Sequence, residues 1–92
     1  MVRPNRRRRI MFNPNVTYYK PAGVPMRELE EEVLRMDEIE AIRLCDEQGL
    51  KQEQAALKMK ISQPTLFRIL KNARKKIANA LINGKAIKID KK

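Results

Sequence analysis

Apolar residues recur at helical spacing along the chain from about residue 26 to residue 83. Four stretches show this pattern, and each is bounded by residues that commonly begin or end a helix. They begin near Met26, Asp37, Gln52 and Gln63. The last stretch is the longest, because its periodicity continues to Asn83, after which a glycine can end the helix. The pattern predicts a mainly α fold, in which four helices form the core.

The two ends of the chain have a different character. Residues 1–25 contain four of the five prolines, which oppose a helix and favour extended chain. Within them, "VTYYK" has the composition of a short strand, and "RIMF" is a second candidate. The tail "KAIKID" alternates apolar and polar residues, so we expect a strand that pairs with an N-terminal one. We therefore divide the chain into an extended arm (1–25), a helical domain (26–84) and a basic tail (85–92), with two or three short strands from the two ends.

The stretch from about residue 52 to residue 72 has the spacing of a helix-turn-helix. Ala56 is small where two short helices would cross, and Leu66 and Ile69 are apolar where the second helix would pack back. The turn of this motif commonly contains a glycine, because its backbone is left-handed. Lys60 stands at that position here. The spacing thus predicts a left-handed lysine in the turn.

The second helix of this motif has a basic outer face. At about 100° per residue, its apolar residues form one stripe, and polar and positive residues lie opposite. Such a helix fits the major groove of DNA, where Gln, Arg and Asn read base edges and Lys contacts phosphates. The candidate DNA-contacting residues are Ser62, Gln63, Pro64, Phe67, Arg68, Lys71, Asn72 and Lys75. Ser62 is also the predicted N-cap. Phe67 is either a residue at the edge of the core or a contact for a thymine methyl group. The alternative to a DNA-reading helix is an ordinary solvated amphipathic helix.

Charge is segregated along the sequence. The net charge is +10, yet residues 26–50 carry nine acidic and three basic residues, while both flanking segments are strongly basic. This separation indicates a polyanionic partner, most simply nucleic acid. The arginines of the arm either enter the minor groove or add nonspecific phosphate affinity. The candidates are Arg6, Arg7, Arg8 and Arg9.

Four glutamates form an acidic run in the first predicted helix, namely Glu28, Glu30, Glu31 and Glu32. The simplest interpretation is a solvated helix face. Two sharper hypotheses are that the run holds the arginine arm when DNA is absent, or that it meets a partner such as RNA polymerase.

Several kinds of chemistry find no support in the composition. There is no histidine, and Cys45 is the only cysteine, so we expect no disulfide within the chain, no metal site and no cofactor. Without a nucleophile–base pair, an enzyme is not expected. No apolar run is long enough to cross a membrane, so we expect a cytoplasmic protein. Cys45 itself is predicted to be a small buried core residue.

The segment "MDEIEAIRLCDEQGLKQEQAALKMKISQPTLFRILKNARKKIANAL" resembles region four of bacterial sigma factors, a promoter-reading helix-turn-helix. Nearly the whole chain resembles the domain of unknown function 134 family of small predicted DNA-binding proteins. The matching stretches are "RRRRIMF", "VTYYKPAGVPMRELEEEVLRMDEIEAIRL", "ISQPTLFRIL" and "ARKKIANALINGKAI". The resemblance implies a DNA-binding regulator. Some members carry a cysteine in the arginine arm, and this chain has none there.

Together these observations predict a DNA-binding transcriptional regulator that places the helix starting near Gln63 in the major groove. One helix-turn-helix contacts few base pairs, so specificity needs a homodimer or a partner, and Ile82 and "KAIKID" are candidate dimer contacts. Two alternatives remain open. The first is an RNA-binding, ribosome-associated protein, although few aromatic residues are present to stack on bases. The second is a protein-interaction module.

Overall fold

The computed structural model describes residues 8–91, which form three helices and a small three-stranded sheet. The strands are β1 (Tyr18–Tyr19), β2 (Glu31–Arg35) and β3 (Ala86–Asp90). The helices are α1 (Met36–Ile42), α2 (Gln52–Met59) and α3 (Gln63–Asn83). A 3-10 turn at Met26–Glu28 precedes β2, and a π-helical turn at Arg43–Glu47 continues α1. The fold is therefore rich in α-helix.

The C-terminal strand β3 lies at the centre of the sheet. It pairs antiparallel with β1, where Tyr18 lies opposite Lys88, and parallel with β2, where Leu34 lies opposite Ile89. The alternation in the tail thus does form a strand, and its expected pairing with an N-terminal strand is confirmed. The sheet joins the two ends of the described chain beside the helices.

The prediction of a four-helix arrangement is wrong. The acidic stretch after Pro25 forms only the short 3-10 turn and then β2. Helix propensity alone stabilises a short segment weakly, and tertiary pairing can override it. Here β2 gains backbone hydrogen bonds from β3 along its length and buries Leu34, which is 2% exposed. The second candidate strand, "RIMF", has no regular secondary structure.

Helix α1 begins two residues before the position that the capping pattern suggested. Arg35 is the N-cap, and its backbone N–H donates to Oε1 of Glu38 at 2.9 Å. Asp37, which we expected to cap the helix, lies instead in its first turn and is buried. The helix therefore follows β2 without a loop.

The main core lies where α1, its π-helical extension, α2 and α3 meet. Its buried residues are Ala41, Leu44, Ala55, Ala56, Met59, Leu66, Ile69 and Leu70. Ala56 is 3% exposed, and its small side chain lets α2 and α3 approach closely. Cys45 is partly buried against this cluster, so the prediction of a fully buried thiol is wrong in degree. The core fixes the orientation of α3.

Candidate nucleic-acid interface

The turn between α2 and α3 has the left-handed residue that the spacing predicted. Lys60 has φ 58° and ψ 46°. Its backbone N–H donates to the carbonyl of Leu57 at 3.1 Å, and the N–H of Ile61 donates to the carbonyl of Ala56 at 3.0 Å. These bonds satisfy carbonyls at the end of α2 that have no partner within the helix. The turn therefore redirects the chain within three residues, as in a helix-turn-helix.

The start of α3 is capped by a side chain. The Oγ of Ser62 accepts a hydrogen bond from the backbone N–H of Thr65 at 3.3 Å and donates one to its Oγ1 at 2.9 Å. Pro64 lies in the first turn, where its missing N–H costs nothing. The predicted cap is confirmed, and so are the bounds of the long helix, which ends before the left-handed Gly84. The docking of a phosphate at this end stays a prediction.

One face of α3 carries most of the predicted DNA-contacting residues into solvent. The exposed members are Ser62, Gln63, Pro64, Phe67, Arg68, Lys71, Asn72 and Lys75. Arg68 and Lys75 make no hydrogen bond or ion pair with any other described residue, so their charges are available to a partner. The ammonium group of Lys71 lies 5.9 Å from the centre of the Phe67 ring. Phe67 is 49% exposed, so about half of the residue is open to solvent.

Asn72 differs from the other candidates because its amide is already engaged. Its Nδ2 donates to Oε2 of Glu38 at 2.8 Å. This bond ties α3 to α1. Asn72 can therefore read a base only if it gives up a contact that holds the two helices together.

The N-terminal segment is attached beside the helix-turn-helix. Arg6 and Arg7 lie outside the described residues. The Nε of Arg8 lies 3.7 Å from Oδ2 of Asp37, and the backbone N–H of Arg9 donates to the carbonyl of Met59 at 3.0 Å. The N–H of Met11 donates to Oε2 of Glu40 at 3.0 Å. The base of the arginine arm is thus fixed near the end of α2.

Two buried carboxylates on α1 organise this region, and the sequence analysis missed them. Glu38 is 0% exposed and receives hydrogen bonds at 2.8 Å from both Asn72 and Nζ of Lys76. Glu40 is 1% exposed. A signal existed in the sequence, because both acids lie three or four residues before core positions of the same helix, at Ala41 and Leu44. Acids on the apolar side of a helix indicate buried ion pairs.

Glu40 is held as a carboxylate by its neighbours. Its two oxygens accept from Nε and Nη2 of Arg43 at 2.8 and 2.9 Å. Burial alone would raise the pKa of Glu40, but the hydrogen bonds from Arg43 and from the Met11 N–H, with the charge of Arg43, lower it. The guanidinium group of Arg43 also lies 5.6 Å from the centre of the Phe12 ring. This cluster therefore secures the N-terminal segment against α1.

The acidic run does not form a helix face. Glu31 and Glu32 belong to β2, and Glu31 accepts a hydrogen bond from the Tyr18 hydroxyl. The carboxylates of Glu30 and Glu32 lie 3.4 and 3.7 Å from Nζ of Lys85. Arg8, the arm arginine with a resolved ion pair, contacts Asp37 rather than this run. A contact between the run and another protein stays a prediction.

Two features are absent from residues 8–91. These residues contain no group of three or more Asp, Glu, Cys or His side chains arranged to hold a metal ion. No helix among them is both long and apolar enough to cross a membrane.

The fold is that of a small α-rich protein in which a helix-turn-helix unit packs against a three-stranded sheet. The chain belongs to the family described as protein of unknown function DUF134, whose model matches residues 1–91. It is 58% identical over 90 residues to a UPF0251 protein of Moorella thermoacetica, covering 98% of this chain and 60% of the relative. It is 54% identical to a UPF0251 protein of Caldanaerobacter subterraneus subsp. tengcongensis, covering 98% of this chain and 76% of that relative. The chain thus spans less than two thirds of the Moorella protein's length. No solved structure matches it significantly.

Proposed function

We propose that this protein binds double-stranded DNA through the outer face of α3 and acts as a transcriptional regulator in the cytoplasm. The observation that carries the proposal is the set of unpaired positive side chains on that face. Arg68 and Lys75 are exposed and have no partner among the described residues, and Lys71 contacts only an aromatic ring. Six basic residues elsewhere are paired with acids, namely Arg8, Arg35, Arg43, Arg74, Lys76 and Lys85. Free positive charge on a rigid helix favours a polyanionic groove.

The side chains suggest a division of roles on this face. Arg68 is exposed and lies near the middle of the N-terminal half of α3. From there its guanidinium group can bind a guanine edge through two hydrogen bonds. Lys71 and Lys75 are better suited to backbone phosphates. Gln63 and Ser62 lie at the N-terminal end, which favours an anion. The helix would therefore enter the major groove with its first half.

A single helix-turn-helix would contact only a few base pairs. A homodimer on two half-sites, or a second protein such as RNA polymerase, would supply the missing specificity. Ile82 is 82% exposed at the far end of α3 and remains a candidate dimer contact, whereas the other candidate, "KAIKID", supplies the central strand of the sheet. Sedimentation of the free protein and of its DNA complex would distinguish one copy from two.

The decisive experiment compares affinities for duplex DNA, single-stranded DNA and a structured RNA by fluorescence anisotropy at two salt concentrations, followed by selection from a random duplex pool. We expect duplex DNA to bind best and an enriched motif to emerge. Arg68→Ala should reduce discrimination at one motif position by about 1–3 kcal/mol.

Arg27→Ala is the matched control, because Arg27 is also exposed and unpaired among the described residues but lies in the 3-10 turn. It should leave the motif intact. Tighter binding to RNA, or a pool without a motif, would contradict the assignment of α3 as a recognition helix.

A further inference from the structure

Three arginines from separate parts of the chain line one surface cavity. Arg8 comes from the N-terminal segment, Arg35 from the end of β2, and Arg68 from α3. The cavity has a volume of about 370 Å³, and Thr65 and Asn72 also line it. It lies on the flank of α3, beside the exposed face described above. The fold thus concentrates positive charge at a concave site.

This charge is only partly neutralised by the protein. Asp37 is the carboxylate that contacts two of the three arginines, with Nε of Arg35 at 3.2 Å from Oδ1 and Nε of Arg8 at 3.7 Å from Oδ2. Arg68 has no acidic partner within residues 8–91. Glu38, whose charge also acts on Arg35, is already paired with Lys76, so the three guanidinium groups and Asp37 leave an excess of positive charge. An anion in the cavity would balance it.

One donor at this site also lacks an acceptor. The Nε of Arg8 is buried and makes no hydrogen bond to another described residue. Its distance from Asp37 is too long for a hydrogen bond. Buried donors of this kind are rare in folded proteins and destabilise them unless a partner arrives. The Thr65 hydroxyl accepts from Ser62, so its own proton is free to be donated.

We propose that this cavity binds one phosphate group, held by Arg8, Arg35 and the Thr65 hydroxyl, while Arg68 adds its positive charge and keeps its guanidinium group for a base edge. Planar guanidinium groups match the oxygen geometry of phosphate, and several of them together bind it well. The inference deepens the proposed function, because a backbone phosphate of duplex DNA can occupy the cavity while α3 lies in the groove. A free phosphate anion has the same chemistry and is the second source.

The test compares Arg35→Gln with Arg74→Gln. Both arginines are half exposed, at 58% and 53% of the side chain, and both pair with an aspartate, but Arg74 contacts Asp46 away from the cavity. Each variant removes one positive charge and one arginine–aspartate ion pair, in which Asp37 is buried and Asp46 is partly exposed. The slope of log affinity for duplex DNA against log salt should become shallower by about 0.9 in Arg35→Gln and stay unchanged in Arg74→Gln. Arg8→Gln keeps the Arg35–Asp37 pair and should decrease the salt slope by the same amount. The test therefore remains valid if one of the two variants misfolds.

A second measurement separates the two sources of phosphate. The melting temperature is recorded in inorganic phosphate and in chloride at equal ionic strength, for the wild type and the three variants. If phosphate raises the melting temperature of the wild type and of Arg74→Gln but not that of Arg35→Gln or Arg8→Gln, the cavity also binds the free anion. A change in the DNA slope without that stabilisation assigns it to the nucleic-acid backbone.

The phosphate measurement also separates this inference from the proposed function. If the wild type shows no preference for duplex DNA, a stabilisation by phosphate that depends on Arg35 still supports the site. The phosphate site would be refuted if Arg35→Gln, Arg8→Gln and Arg74→Gln all had the same salt slope and the same response to phosphate as the wild type.

Discussion

The left-handed lysine in the turn between α2 and α3 supplies a direct test of the helix-turn-helix. Lys60 is the one residue other than glycine with positive φ in the described chain, at 58°. In this conformation a side chain approaches the following carbonyl oxygen, at a cost of about 1–2 kcal/mol. Glycine avoids that cost. It also loses more conformational entropy on folding, by about 0.5–1 kcal/mol. The substitution Lys60→Gly should therefore stabilise the protein by about 0.5–1 kcal/mol.

The expected change can be measured as a melting temperature. A chain of 92 residues has an unfolding entropy of about 0.19 kcal/mol/K, at about 2.1 cal/mol/K per residue. A stabilisation of this size then corresponds to a rise of about 3–5 °C. Circular dichroism at 222 nm, followed through thermal unfolding of a mainly helical protein, reports it directly. Lys60 is exposed and has no partner in residues 8–91, so no other contact is lost.

Lys58→Gly is the matched control, because it makes the same chemical change two residues earlier, within α2. Lys58 lies in the last turn of α2, where glycine lowers helix propensity and the loss of a positive charge weakens the interaction with the helix dipole, so this variant should melt lower. Opposite signs for the two substitutions are the expected result. A clear drop in melting temperature for Lys60→Gly would refute the left-handed turn, and with it the angle at which α3 leaves α2.

Three further predictions concern the core and the buried charges. Because the folded pKa of Glu40 is lowered, its stabilisation is fully present above its unfolded pKa of about 4.3 and disappears as the pH falls through the folded value. Urea titrations should show that the stability advantage of wild type over Glu40→Gln, which weakens the pair with Arg43, shrinks below about pH 4.3. Burial raises the pKa of the Cys45 thiol, so iodoacetamide should modify it more slowly at pH 8 than in the urea-unfolded chain; equal rates would contradict this. Ala56→Leu should destabilise by about 1–3 kcal/mol through overpacking, whereas Leu57→Ala at the 78% exposed neighbour should change stability little.

The parts of the fold that local chemistry determines were predictable from the sequence. The cap at Ser62, the long helix from Gln63 to Asn83 and the left-handed Lys60 each follow from residues close together in the chain. The strand at Ala86–Asp90 follows from its own alternation. In these places, backbone conformation is set by neighbours along the chain, so pattern and propensity suffice.

The strand β2 was not predictable in this way. Its sequence, rich in glutamate, favours a helix locally, and the competing hydrogen bonds come from β3, more than fifty residues later in the chain. Pairing at that separation leaves no periodic trace in the sequence of β2 itself. For the same reason, the cap of α1 moved to Arg35, because the helix starts where the strand ends.

The candidate site also combines features that the local sequence predicts with features that depend on tertiary contacts. Positions on the outer face of α3 follow from helical periodicity, and those residues are exposed as expected. Which of them are free depends on tertiary contacts. Asn72 has the same periodicity as Arg68 but is held by Glu38, which lies 34 residues earlier. The cavity that joins Arg8, Arg35 and Arg68 draws on three distant segments, so no single motif encodes it.

The segregation of charge along the sequence has a structural explanation that does not require the acidic segment to face a partner. Carboxylates at the start of α1 form ion pairs with residues of both basic segments. Arg8 pairs with Asp37, and Lys76 pairs with Glu38. The acidic middle of the chain thus fastens the N-terminal segment and α3 to the same helix. These pairs neutralise part of the inner charge, whereas Arg68 and Lys75 on the outer face of α3 have no acidic partner among residues 8–91. If α3 binds DNA as proposed, substituting Glu38 would disturb that binding through the position of α3, even though its carboxylate is fully buried.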